Sequence, residues 1–147
     1  MAKILDDGIL KQVQEVFAEL DQPVHVVYFR SENNCDYCNE TQQLLEEVVS
    51  LSDVLSMEVL DFDQSPEQAA RYGVDKTPAF IIGRKNGDEI ADYGIRFSGI
   101  PAGHEFTSLI NDLLIVSKGD SGLTQPTRDF LAELKEPVLL QVFVTPT

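Results

Sequence analysis

The two cysteines of this chain, Cys35 and Cys38, stand in C-x-x-C spacing between an apolar run, Val24 to Phe29, and a helical pattern of Leu44, Leu45, Val48 and Val49. The context reads as strand, turn, helix. A dithiol placed there exposes one sulfur at a helix N-terminus, where unpaired N–H groups and the helix dipole favour a thiolate. The chemistry this predicts is thiol–disulfide exchange. Cysteines this close close too short a loop to staple a fold, and in a reducing compartment such a pair is redox-active or metal-binding.

The rest of the chain supplies a frame for that turn. Asp6 and Asp7 offer N-caps to an amphipathic helix carrying Ile9, Leu10, Val13, Phe17 and Leu20, expected to end near Asp21 before Pro23. Val24–Phe29 is nearly continuous and β-branched or aromatic, as in a central strand covered on both faces. A helix from about Tyr37 to Ser50 and a second apolar run from Val54 to Phe62 complete a right-handed βαβ unit with parallel strands. Ser65, Pro66 and Gln68 read as N-cap, first helical position and capping-box partner of a short helix that Gly73 stops. Ala79–Ile82 and Ile90–Ile95, joined through Asn86-Gly87, predict an antiparallel hairpin. A sharp connection, Gly99 to Gly103, leads into a last helix with Phe106, Leu109, Ile110, Leu113 and Leu114, and the unit closes near Ser117.

Residues 118–122, Lys-Gly-Asp-Ser-Gly, form a polar linker. Beyond it, Phe130-Leu131-Ala132-Glu133-Leu134-Lys135-Glu136-Pro137-Val138 echoes Val16-Phe17-Ala18-Glu19-Leu20-Asp21-Gln22-Pro23-Val24, an internal repeat. The expected organisation is one unit over 1–117, a linker over 118–122, and over 123–147 the first helix and strand of a second repeat, cut short as in a fragment of a two-unit protein. The alternative is a helix and strand that cap the first sheet. A strand over Val138–Val144 without sheet neighbours could pair with another chain and make a dimer.

Charge narrows the partners. A net charge of −14 argues against nucleic acid or an anionic membrane surface and favours basic partners. No stretch reads as a membrane span or secretory signal, so the expected compartment is the cytoplasm.

Exchange needs an exposed attacking thiolate and a second sulfur that resolves the mixed disulfide. Cys35 is first and expected at the exposed tip as nucleophile; Cys38, one helical turn on, is expected buried and resolving. Asp36 beside Cys35, with Glu32 and Glu40 near, opposes the thiolate, so a moderately acidic Cys35 and a reducing or balanced pair are expected. The competing readings are an inert buried pair and a zinc site. Zinc would have Cys35, Cys38, His25 and His104 as Cys or His donors, but His25 falls in a buried strand and His104 near a helix start, as a capping or surface residue. Thr77-Pro78 enters a strand, where pattern alone gives a trans bond.

With C-x-x-C and Thr77-Pro78 laid on this order of elements, residues 1–117 resemble the thioredoxin superfamily, nearer its glutaredoxin-like branch. The repeat, Tyr93-Gly94-Ile95-Arg96-Phe97, Gly99-Ile100-Pro101-Ala102-Gly103-His104-Glu105-Phe106 and Val142-Phe143-Val144-Thr145-Pro146-Thr147 are similar to the tandem glutaredoxin-like protein disulfide oxidoreductases. The resemblance implies an α/β, thioredoxin-like fold with a mixed central sheet flanked by helices. It further implies an oxidoreductase acting on protein disulfides, with Cys35 attacking and Cys38 resolving. Pro78 is then cis, with Asp36, Tyr37, Thr77 and Pro78 facing substrate. No organic cofactor or metal is implied; electrons come from a thioredoxin-reductase-like flavoenzyme or glutathione. The family's second unit carries its own C-x-x-C, absent here. In the tandem N-terminal domain of the flavoprotein that reduces alkyl hydroperoxide peroxidases, the dithiol lies in the second unit, so Cys35 and Cys38 weigh against that relative. The rival class is a thioredoxin-fold binding or structural module with an inert dithiol.

Overall fold

The computed structural model describes residues 2–145. Its framework is a four-stranded mixed sheet in the order β2-β1-β3-β4, with β1 at Val24–Arg30, β2 at Leu55–Asp61, β3 at Ala79–Asn86 and β4 at Glu89–Ser98. The β1–β2 pair is parallel, Val24 opposite Leu55; β1–β3 and β3–β4 are antiparallel. The central place expected for the Val24 run is met: six consecutive β1 residues are buried, because side chains from successive positions enter opposite cores.

Those cores are unequal. On one face Val24, Val26 and Tyr28 of β1, with Phe80 and Ile82 of β3, meet α1 (Asp7–Phe17), α2 (Cys38–Val49) and α4 (His104–Lys118). Phe80 stacks on Phe97 of β4 with centroids 4.7 Å apart. On the other face Val27, Phe29 and Ile81 are covered by Ala69 and Tyr72 of α3 (Pro66–Tyr72). That helix is short, and a cleft of about 540 Å³ lined by Glu58, Leu60, Arg71, Asp88 and Glu89 opens beside it.

Local signals explain most boundaries. The Asp6 carboxylate accepts the Ile9 N–H at 2.9 Å and caps α1. The helix stops at Phe17, four residues short of Asp21, and three-residue turns carry the chain on to Leu20. At α3 the expected bounds hold and Gly73 ends the helix at φ +66°, but the capping box does not form. Ser65 sits at φ −126°, ψ 55°, outside the extended N-cap conformation, and its side chain caps nothing; Asp61 instead accepts from the N–H groups of Asp63 and Gln64 just upstream. The hairpin turn is Gly87-Asp88, one residue later than the Asn86-Gly87 signal places it, with Asn86 still paired to Glu89. Ser117, fully buried near the end of α4, accepts from the Asp21 N–H (2.8 Å) and donates to the Gln22 carbonyl (2.9 Å), joining α4 to the entrance of β1.

Past Gly119 the chain differs from the first unit. Gln125–Ala132 forms a helix, α5, as the repeat predicts, yet buries no residue. The strand expected over Val138–Val144 is absent among the described residues, and its side chains are exposed. A strand exists only through hydrogen bonds to a neighbour, and among the described residues no strand lies beside this segment, whereas the matching Val24–Arg30 lies between two strands. Pro146 and Thr147, the end of the expected second repeat, lie outside the described residues. Among the described residues no helix is long and apolar enough to cross a membrane.

Candidate active site

The dithiol sits where β1 hands over to α2, and each part of that junction has an identifiable anchor. Arg30, the last residue of β1, spans the loop from below: Nη1 donates to Gln42 Oε1 at 2.6 Å, and Nη2 donates to Glu32 Oε1 at 2.9 Å and Asn39 Oδ1 at 3.0 Å. Its partners lie on both sides of the two cysteines, so one planar guanidinium ties the descending and ascending arms together. The buried Arg30 Nε has no partner. A second anchor comes from beyond β2. The Ser31 hydroxyl donates to Asp63 Oδ2 at 2.6 Å and accepts the Asn33 N–H at 3.0 Å, while Asn33 Nδ2 reaches the same Asp63 oxygen at 3.3 Å.

Between these anchors the backbone makes two left-handed steps, Asn34 at φ 51° and Tyr37 at φ 70°. Tyr37 occupies the N-cap, so α2 begins at Cys38 rather than Tyr37. Cys35 and Cys38 are joined as a disulfide with Cα atoms 5.5 Å apart. Cys38 is buried as expected, only 3% exposed, whereas Cys35, expected at an exposed tip, is half-buried in the loop and so the more accessible of the two without being fully exposed. Asp36 and Tyr37 lie in the turn between them, both exposed, Tyr37 at 60%.

The opposite wall comes from β3. The Thr77–Pro78 bond is cis, as the resemblance implies and the sequence pattern does not. Pairing of Phe29 with Ala79 sets Pro78 at the same end of the sheet as Arg30, and the Pro78 carbonyl accepts the Gly99 N–H at 2.8 Å. Register thus gathers Cys35, Cys38, Asp36, Tyr37, Thr77 and Pro78 at one end of the sheet. His104 opens α4, exposed, and His25 lies within β1 four residues before Phe29, so the four Cys and His donors do not form a set. Among the described residues no group of three or more His, Cys, Asp or Glu could hold a metal ion.

Several residues of the site carry no sequence signal. Tyr28, fully buried, donates its hydroxyl to the Cys38 carbonyl at 2.7 Å; burial pushes that hydroxyl well above the usual tyrosine range, with Arg30 pulling it down and Glu40 pushing it up more weakly. Thr41, one turn after Cys38, is fully buried with no partner for its hydroxyl. Arg30 and Asp63 are visible in sequence only as charges near a turn. His25 is buried as expected, but it is not apolar packing: Nδ1 lies 2.7 Å from Ser56 Oγ and Nε2 3.3 Å from Glu58 Oε1. Burial lowers its basicity more than Glu58 raises it, so the ring is neutral, with Nε2–H donating to Glu58 and Nδ1 accepting from Ser56.

Comparison with known proteins fits this geometry. Residues 9–95 match the family described as "Domain of unknown function (DUF7088)". An alkyl hydroperoxide reductase component of Pseudomonas aeruginosa is 32% identical over 120 residues, which cover 82% of this chain and 20% of that protein. The chain thus spans about a fifth of that curated relative's length. A protein disulfide oxidoreductase from Aeropyrum pernix superposes with a TM-score of 0.76 at 26% identity, covering 90% of this chain and 57% of that one. The corresponding alkyl hydroperoxide reductase component of Enterococcus faecalis gives 0.77 at 27% identity, covering 88% and 61%. The fold is therefore thioredoxin-like, with a C-x-x-C disulfide between β1 and α2. On sequence alone Cys35 and Cys38 weigh against the alkyl hydroperoxide reductase relative, but likeness to that protein is as strong as likeness to the disulfide oxidoreductase.

Proposed function

The chain belongs to the family described as a domain of unknown function (DUF7088), and on that premise we propose that it is a thiol–disulfide oxidoreductase in which Cys35 attacks and Cys38 resolves. The observation that carries the reading is the unequal burial of two cysteines that already form a disulfide. The Cys35 thiolate attacks one sulfur of a substrate disulfide; a Cys35–substrate bond forms and the other substrate sulfur leaves as a thiolate. Cys38, deprotonated in turn, attacks the Cys35 sulfur, releases the second substrate thiolate and closes the Cys35–Cys38 disulfide. The substrate gains two electrons and takes up two protons, and the dithiol loses both. Asp36, Tyr37, Thr77 and Pro78 border the approach to Cys35 and bind the substrate chain. A flavoenzyme of the thioredoxin-reductase type, or glutathione, returns the electrons in a reducing, cytoplasmic setting; the reductase relatives support the flavoenzyme class.

The test is intact-mass thiol trapping across glutathione redox ratios. The wild type is expected to pass reversibly between two alkylated thiols and one disulfide in the range typical of thioredoxins and glutaredoxins, about −270 to −200 mV. Cys38→Ser is expected to accumulate a mixed disulfide on Cys35, and Cys35→Ser to lose turnover while keeping its fold. Persistent turnover by Cys35→Ser overturns the assignment. Thiols that never pair, or a metal ion retained in the native mass, leave the module or metal reading in its place.

A further inference from the structure

We propose that the carboxylates around the dithiol set its substrate class, turning it toward disulfides flanked by basic residues and away from the anionic tripeptide glutathione. The inference rests on the oxidoreductase reading and deepens it. The segment from Ser31 to Glu40 carries Glu32, Asp36 and Glu40 and no cation. All three carboxylates are exposed, while Cys35 lies half-buried among them. Asp36 and Glu40 form no ion pair and accept no side-chain hydrogen bond among the described residues, so no neighbouring cation offsets either carboxylate.

The cations that could cancel this field are committed elsewhere. Arg30 is held beneath the loop by Glu32, Asn39 and Gln42. On the facing wall the Lys76 ammonium pairs with Asp75 at 2.7 Å, and Arg96 forks onto Asp92 at 2.6 and 2.7 Å while its Nε donates to the Tyr72 carbonyl. A substrate approaching Cys35 therefore crosses a negative potential that the net charge of −14 reinforces at long range. Glutathione carries two carboxylates and one ammonium, and its attacking thiolate adds another negative charge. The encounter is repulsive. A disulfide with Lys or Arg beside it meets the same rim as an attraction, and the electron donor must then be a protein whose docking face is itself basic.

The experiment measures reduction of three disulfides by the reduced full chain: oxidised glutathione, a peptide disulfide flanked by arginines, and the neutral hydroxyethyl disulfide. Rates are taken at about 20 mM and about 300 mM salt, where the Debye length falls from roughly 20 Å to roughly 6 Å. Each charged rate is divided by the neutral one, which cancels any change in the reactivity of the thiolate itself. The basic peptide is expected to exceed oxidised glutathione by about tenfold at low salt, with the gap closing severalfold at high salt. Asp36→Asn with Glu40→Gln is expected to shrink the low-salt gap about threefold or more. A gap that neither salt nor the double substitution moves overturns the proposal while the oxidoreductase reading stands. No reaction with the neutral disulfide overturns the oxidoreductase reading, and this inference with it.

Discussion

Arg30→Met tests whether the clamp beneath the dithiol holds the loop. Methionine keeps the length of the stem and removes the fork. Three hydrogen bonds are lost, of unequal worth. The bond to Glu32, whose side chain is 76% exposed, is a surface ion pair worth about 0–1 kcal/mol. Those to Gln42 and Asn39, at 2.6 and 3.0 Å, are part-buried or exposed bonds from a charged donor, about 1 kcal/mol or slightly more each. Against them stands the unpartnered Nε, whose removal regains about 1 kcal/mol. The net loss is about 2 kcal/mol, or about 4–8 °C in Tm for a chain of this length. Thermal melts of Arg30→Met, Gln42→Ala and Glu32→Gln should fall in that order of severity, with Glu32→Gln within about 2 °C of wild type. The loss should be larger in the reduced protein, where no covalent bond helps to hold the two arms. An Arg30→Met melt within about 1 °C of wild type in both redox states, with unchanged amide exchange over residues 32–39, would refute the clamp.

Two further outcomes follow from particular contacts. His25 is held neutral by burial, so its folded-state basicity lies below the unfolded value near 6.5. The unfolded chain then binds more protons, and stability present above about pH 6.5 is lost as pH falls through the folded-state value; His25→Gln should lose less Tm between about pH 7 and pH 5 than the wild type. Gly83 lies at a register shift between β3 and β4, and a Cβ there would overlap Ile90 Cγ2 and stand 2.8 Å from the Ala91 carbonyl oxygen. Gly83→Ala should therefore destabilise by about 1–3 kcal/mol in denaturant melts, and an unchanged midpoint would show that the hairpin relaxes freely.

What the sequence discloses and what it withholds divide along the range of the interaction. Val24–Arg30 is legible as a central strand because its residue types suit no other environment, and α3 is legible through Pro66 and Gly73, which act on their own backbone. The cis bond at Pro78 is not legible from pattern, because neighbouring residues do not determine it; it follows from the resemblance. Tyr28 on the Cys38 carbonyl and Asp63 on Ser31 are meetings of distant residues that leave no periodicity. The C-terminal repeat shows the same division within one segment. Helix α5 forms with an extended Thr124 before it and Pro126 in its first turn, both local features, while Val138–Val144, nearly as apolar as β1, has no strand beside it among the described residues and no strand structure.

The unequal burial of the two sulfurs follows from the phase of α2. Its buried residues are Cys38, Thr41, Leu44, Leu45 and Val48, recurring at helical spacing on one stripe that packs against Val26, Tyr28 and Phe80. Cys38 opens that stripe, and the Tyr28 hydroxyl on its carbonyl fixes the first turn against the sheet. Exposing Cys38 would require turning the helix, which would carry Leu44, Leu45 and Val48 out of the core at about 1.5–3 kcal/mol for each fully exposed side chain. Cys35 is under no such constraint. It precedes the helix, and the left-handed steps at Asn34 and Tyr37 set its place in the loop. Which cysteine is buried is thus decided by the same apolar stripe that packs the helix onto the sheet.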